Sequence, residues 1–102
     1  MTQKFEIWLA EVRFSDIEGE KERPVLILDW VKKEVFCLRM TSKLPQTADD
    51  YEIRHWQEAG LHKQTVINTA KRLRLKEDKL KIKIGKLHND DIILLKIRYQ
   101  IT

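Results

Sequence analysis

The chain reads as a small, mainly β domain of the α+β kind, in which short strands form a β-barrel and one helix follows at the C-terminal end. Three observations predict this. Short apolar runs rich in β-branched residues recur along most of the sequence, separated by turn residues. Leu80, Ile82 and Ile84 alternate with Lys79, Lys81 and Lys83, which is the two-residue period of a strand. The clearest helix signal, Asn89-Asp90-Asp91 ahead of a dense apolar stretch, stands near the end of the chain.

The elements follow in order. Phe5 to Arg13 is rich in large apolar residues and reads as the first strand, and Ser15 to Glu22 as a charged loop around Gly19. Pro24 to Val31 is the second strand and Glu34 to Met40 the third. The tight connection Asp29–Lys33 between them predicts an antiparallel meander. Thr41 to Asp50 has loop chemistry, with Pro45 among hydroxyl and carboxylate side chains. Tyr51 to Trp56 reads as a strand, Gln57 to Leu61 as a turn, and Thr65 to Leu75 as a strand that opens with β-branched residues. The alternating strand at Lys79–Ile84 is expected to bury Leu80, Ile82 and Ile84, to expose its lysines, and to end at Gly85. A helix follows from about Asp90 to Tyr99, with Ile92, Ile93, Leu94, Leu95 and Ile97 on one broad side and His88 placed to help cap it. Barrel closure removes most sheet edges.

At 102 residues the chain predicts a single domain, residues 1–102. It contains no stretch of about 18 apolar residues, so no membrane span is expected. The opening residues carry no apolar run of signal-peptide length, and Cys37 cannot form an internal disulfide, which together favour the cytoplasm. Cys37 lies in an apolar run and reads as a small buried hydrophobe. Charge is uneven. Residues 62–86 hold nine basic side chains against Glu77 and Asp78, a net of +7, whereas residues 1–61 carry a net of −3. A polyanion is drawn to such a segment, although lysines at a sheet edge also serve to keep strands from aggregating. With three glycines there is no phosphate-cradling loop, and His55, His62 and His88 lack metal-site spacing, so neither cofactor nor metal is expected.

One pair singles itself out. Pro24 restricts Arg23 to an extended conformation at the entrance of the apolar run Val25-Leu26-Ile27-Leu28, which fixes a permanent cation in place. Further motifs keep it company. They are the strand Ile7-Trp8-Leu9-Ala10-Glu11-Val12, then Met40-Thr41-Ser42, then Gly60-Leu61-His62-Lys63-Gln64-Thr65-Val66-Ile67, and Lys83-Ile84-Gly85-Lys86-Leu87 before an acidic helix start. In this order the motifs resemble the PemK/MazF family, the toxins of type II toxin–antitoxin systems. The resemblance spans nearly the full length.

The resemblance implies an SH3-like barrel with helices packed on it, a CcdB/MazF-like fold, and a homodimer. It implies an endoribonuclease of the RNA interferase type, which cuts single-stranded RNA without a metal by attack of the ribose 2′-hydroxyl. Its implied partners are RNA and a cognate antitoxin protein. By position, Arg23 neutralises charge on the phosphoryl group and Thr41 holds that group in line, with Ser42 as an alternate. Lys21, Lys43, Gln64, Asn68 and Lys71 are the implied RNA contacts. The chain has Asn68 and Ala70 where some relatives carry Arg and Asp, and the general base is open between Glu20, Glu22 and His62. Two other readings are a toxin of the same fold that inhibits DNA gyrase by binding, and a catalytically silent binding module.

Overall fold

The computed structural model describes residues 4–13 and 20–101. Its elements are β1 (Glu6–Arg13), β2 (Glu20–Val31), β3 (Glu34–Thr41), β4 (Asp50–Glu52), β5 (Val66–Lys76), β6 (Leu80–Lys86) and α1 (Asn89–Tyr99), with a 3-10 turn over Glu77–Lys79. The strands form one antiparallel sheet in the order β4-β5-β3-β2-β1-β6. The expected barrel is present only loosely, as a curled sheet whose edge strands β4 and β6 do not pair with each other.

Bulges produce the curl, because each extra residue bends its strand and raises the local twist. The β1–β6 ladder shifts register twice, and the β2–β3 ladder shifts between Ile27 and Asp29. The largest irregularity lies in β5, where residues 68–71 occupy the stretch that β3 fills with Arg39 alone.

Both faces of the sheet bury apolar side chains. On one face Ile7, Leu26, Leu28, Leu38, Met40 and Ile67 pack in a cluster with Ile92 and Leu95 of α1. On the other, Ala10, Val12, Val25, Ile27, Val35 and Cys37 form a second cluster with Trp8, Trp30, Leu73, Leu75 and Leu80 against it. This two-sided burial is why Val25-Leu26-Ile27-Leu28 is continuously apolar instead of alternating.

Several expectations need correcting. The β1–β2 ladder runs on from Leu9 opposite Pro24 to Arg13 opposite Glu20, so β2 begins four residues before Pro24. Arg23 therefore sits within the strand, opposite Ala10, and not at its entrance. Of the expected loop Ser15–Glu22, residues 15–19 lie outside the described residues, and Glu20 to Glu22 are strand. The strand expected over Tyr51–Trp56 stops at Glu52, because the amides of Arg54 and His55 donate to the Asp91 carboxylate at 2.9 and 3.0 Å.

Gly85 does not end its strand. It lies inside β6 opposite Ile7, where a Cβ would fall 2.0 Å from the Ala59 carbonyl oxygen. Gly60 faces the same contact from the other side, at φ +92°, with the Ile84 carbonyl oxygen 2.6 Å from where its Cβ would be. The two motif glycines thus let the 56–60 turn lie directly on β6.

The single apolar face expected for β6 is also absent. With the bulges, Leu80 packs against the second cluster and Ile84 against the first, while Ile82 is 62% exposed. Helix α1 begins with the His88 ring as its cap, Nδ1 accepting from the Asp90 amide at 3.1 Å. Ile92 and Leu95 face the sheet, but Ile93 and Ile97 of the expected apolar side point to solvent.

Candidate active site

The β2–β3 ladder starts with Val25 opposite Arg39. Beyond that pair the strands separate, with Arg23 remaining on β1 opposite Ala10 and Thr41 pairing with Val66 of β5. Pro24 is tolerated within β2 because this stretch has a neighbour on one side only, leaving no second ladder for its missing N–H to break. Arg23 and Thr41 each stand two residues past the Val25–Arg39 pair, so they hold corresponding positions on the two diverging strands. Strand alternation turns both away from α1, since their neighbours Met40 and, beyond Val25, Leu26 pack beneath the helix.

Arg23 is exposed, and among the described residues no hydrogen bond or ion pair engages its guanidinium. Thr41 is half-buried, and its Oγ1 accepts from the Lys43 amide at 3.2 Å. That bond occupies a lone pair and leaves the hydroxyl proton available to donate. Ser42 and Lys43 follow, both exposed, and Lys21 is exposed two residues from Arg23 on the same side of β2.

Of the other expected RNA contacts, Gln64 and Asn68 each make a local hydrogen bond. Gln64 Nε2 donates to the Ile53 carbonyl at 2.6 Å, tying the chain before β5 to the end of β4. Asn68 Oδ1 accepts from the Ala70 amide at 2.9 Å inside the β5 irregularity. Lys71 belongs to the same stretch of β5, and its side chain lies outside the described residues. Of the open candidates for a base, Glu22 and His62 are exposed, and the Glu20 side chain lies outside the described residues.

The basic segment is less free than its composition suggests. Lys83 Nζ lies 2.8 Å from a carboxylate oxygen of Glu6, and Lys81 Nζ 3.5 Å from Glu11, both on the neighbouring β1. Arg74 makes a two-pronged contact with Glu34 on β3, its second nitrogen at 2.7 Å. Burial pushes the Glu6 carboxyl up, but hydrogen bonds from Lys83 and from the Trp8 indole outweigh it and hold the group below the usual carboxylate range. Burial raises the Cys37 thiol to about 12.

One polar assembly escaped the sequence. Asp91, fully buried at the start of α1, accepts from Tyr51 Oη at 2.5 Å as well as from the Arg54 and His55 amides. Beside it the rings of His55 and His88 stack with centroids 4.1 Å apart, and both reach Asp90. A separation of 33 residues between the histidines hid this contact. The available signal was a weak one, three acid or histidine residues at 88–91 ahead of an apolar helix.

Comparison with solved structures places this fold among bacterial toxins. Over 95% of this chain and 98% of the other, it superposes on the Mycobacterium tuberculosis toxin MazF-mt6 with a TM-score of 0.72 and 20% identity. An endoribonuclease in complex with its cognate antitoxin, from a mycobacterial species, matches over 100% of this chain and 98% of its own with a TM-score of 0.75 and 12% identity. A further mycobacterial endoribonuclease matches over 98% and 92% with a TM-score of 0.71 and 12% identity. No curated protein matches by sequence. The profile of the PemK-like, MazF-like toxins of type II toxin–antitoxin systems matches residues 3–101, and the chain belongs to that family.

Proposed function

We propose that the protein is the toxin of its pair by being a metal-independent endoribonuclease of single-stranded RNA. The observation that carries this reading is the placement of Arg23 and Thr41 at corresponding positions where β2 and β3 diverge. The ribose 2′-hydroxyl attacks the adjacent phosphorus and the 5′-oxygen leaves, giving a cyclic phosphate and a 5′-hydroxyl end. The Arg23 guanidinium neutralises charge that grows on the phosphoryl oxygens, and the Thr41 hydroxyl donates to the same group and holds it in line. The exposure of Ser42 and Lys43 beside Thr41, and of Lys21 two residues from Arg23, supports their contact with the RNA backbone.

The protein acts as a homodimer, and an antitoxin protein silences it, as one accompanies the mycobacterial neighbour. The site of action is the cytoplasm, where both RNA and antitoxin are made. Among the described residues, no helix is long and apolar enough to cross a membrane. No observation favours the gyrase-binding or silent-module readings.

Purified protein incubated with total RNA in excess EDTA, with the product ends mapped, tests the proposal. Cyclic phosphate and 5′-hydroxyl ends are expected, and Arg23→Ala should remove them. Intact RNA, or equal cleavage by Arg23→Ala, refutes the assignment.

A further inference from the structure

We infer that His55, His88 and Asp90 form a divalent transition-metal site, of the kind that takes Zn²⁺, at the start of α1. It lies on the face of the sheet opposite Arg23 and Thr41, and the proposed cleavage does not use it.

The argument begins with lone pairs. His55 Nδ1 lies 2.9 Å from Glu58 Oε2, a contact that the tautomer with its proton on Nδ1 satisfies. Its Nε2 then presents a lone pair to Asp90 Oδ2 at 3.3 Å. His88 Nδ1 accepts from the Asp90 amide, so it too carries a lone pair, 3.8 Å from the same Oδ2. Three acceptor atoms therefore converge within 4.8 Å of one another. Acceptors gathered in this way repel unless a proton or a metal cation sits among them.

The separations from Asp90 Oδ2, 3.3 Å to His55 and 3.8 Å to His88, are near those a metal sets. Zinc bonds of 2.0–2.2 Å in tetrahedral array set neighbouring donor atoms about 3.4 Å apart. Two imidazoles and one carboxylate also match the ligand preference of zinc and its neighbours. Glu58 supplies the outer partner that orients a ligating histidine through its other nitrogen. The backbone of residue 55 is anchored on Asp91, and the two rings, now stacked 4.1 Å apart, would turn out of that stack to aim both nitrogens at one ion. A cation here takes the His88 lone pair that now caps the helix, so occupancy and the start of α1 are coupled.

The site ties two segments far apart in sequence, the 54–58 turn and the α1 N-terminus. Its function is to fasten the helix to the sheet when metal is present.

The test uses the whole protein, stripped with chelator and desalted. Zinc titrated calorimetrically should be taken up saturably at one equivalent per chain, and zinc should raise the melting temperature. Cobalt should give visible bands of low coordination number. His55→Ala and Asp90→Asn should abolish uptake, and Glu58→Ala should weaken it about 10- to 100-fold. His88→Asn removes the imidazole yet leaves a side chain that caps well, so its loss of zinc cannot be assigned to an unfolded helix. His62→Ala, an exposed histidine elsewhere, should bind as the parent does. Absence of saturable uptake overturns the site, because a proton shared by His55 and Asp90 then accounts for the geometry. Uptake unchanged in His55→Ala and Asp90→Asn, or lost in His62→Ala, overturns it as well.

Discussion

Gly85 passes so close to Ala59 that a methyl group on its Cα would sit 2.0 Å from the Ala59 carbonyl oxygen. The obstacle is backbone, which cannot swing aside as a side chain can. Gly85→Ala must push the 56–60 turn off β6, and with it Ala59, which is buried in the main core. A loss of about 1–3 kcal/mol or more is expected. For a domain of this size that lowers the melting temperature by roughly 4–8 °C per kcal/mol, measured by thermal denaturation. An unchanged melting temperature would show that the turn moves freely.

Asp91 is the second structural point. Asp91→Ala leaves the buried Tyr51 hydroxyl without its acceptor, at about 1–3 kcal/mol, and also orphans two part-buried amides. Tyr51→Phe removes a single donor and should cost less. Denaturant titration of both variants checks the order, and a milder effect from Asp91→Ala than from Tyr51→Phe would contradict it.

For catalysis, Arg23→Ala should lower RNA cleavage by about 100-fold or more while the melting temperature stays put, as removal of one transition-state charge partner does. Arg23→Lys should recover little, because an ammonium does not reproduce a planar fork of donors. Thr41→Ala should cost less than Arg23→Ala. A matched DNA strand should stay intact because it lacks the attacking hydroxyl.

The Glu6–Lys83 pair gives a signed pH dependence. The folded carboxyl titrates below its unfolded value, so its contribution is present at neutral pH and is lost as pH falls through the range below 4.5. Lys83→Met removes the chief partner. Its urea midpoint should drop at pH 7, and the gap to the parent should narrow toward pH 3. A constant gap across that range would assign the effect to packing.

Cys37 should be inert in the native state. It is fully buried and its thiol is raised to about 12, so the thiolate is scarce at ordinary pH. Reaction with an aromatic disulfide at pH 8 should be slow until denaturant is added. Rapid native labelling would mean that the second cluster opens readily.

Strand identity was largely legible, because β1 to β3 and β5 declare themselves by apolar runs. The faces were harder to read. Strict alternation at Leu80, Ile82 and Ile84 promised one buried side, but bulges on β1–β6 turn Leu80 and Ile84 to opposite cores. Register shifts of that kind depend on the partner strand, and no local pattern announces them. The end of β4 was likewise set from outside, by a carboxylate 36 to 37 residues further on. Arg23 could be singled out from Pro24 and the run after it. Its relation to Thr41 could not, since it follows from β3 leaving β2 for β5. Gln64 and Asn68 were expected from the resemblance as RNA contacts, and each also makes one hydrogen bond to nearby backbone that no sequence pattern announces.

The amides of Arg54 and His55 belong to no strand, yet their protons are held by a helix residue. Ordinary turn amides trade hydrogen for deuterium within moments, through local fraying. These two can do so only when α1 lifts from the sheet, so their exchange should be slow and should keep pace with that of Ile92 and Leu95. Two turn positions thereby become reporters of helix docking. Any ligand that clamps or loosens α1 should slow or hasten them together, leaving the exposed loop at 42–49 unchanged.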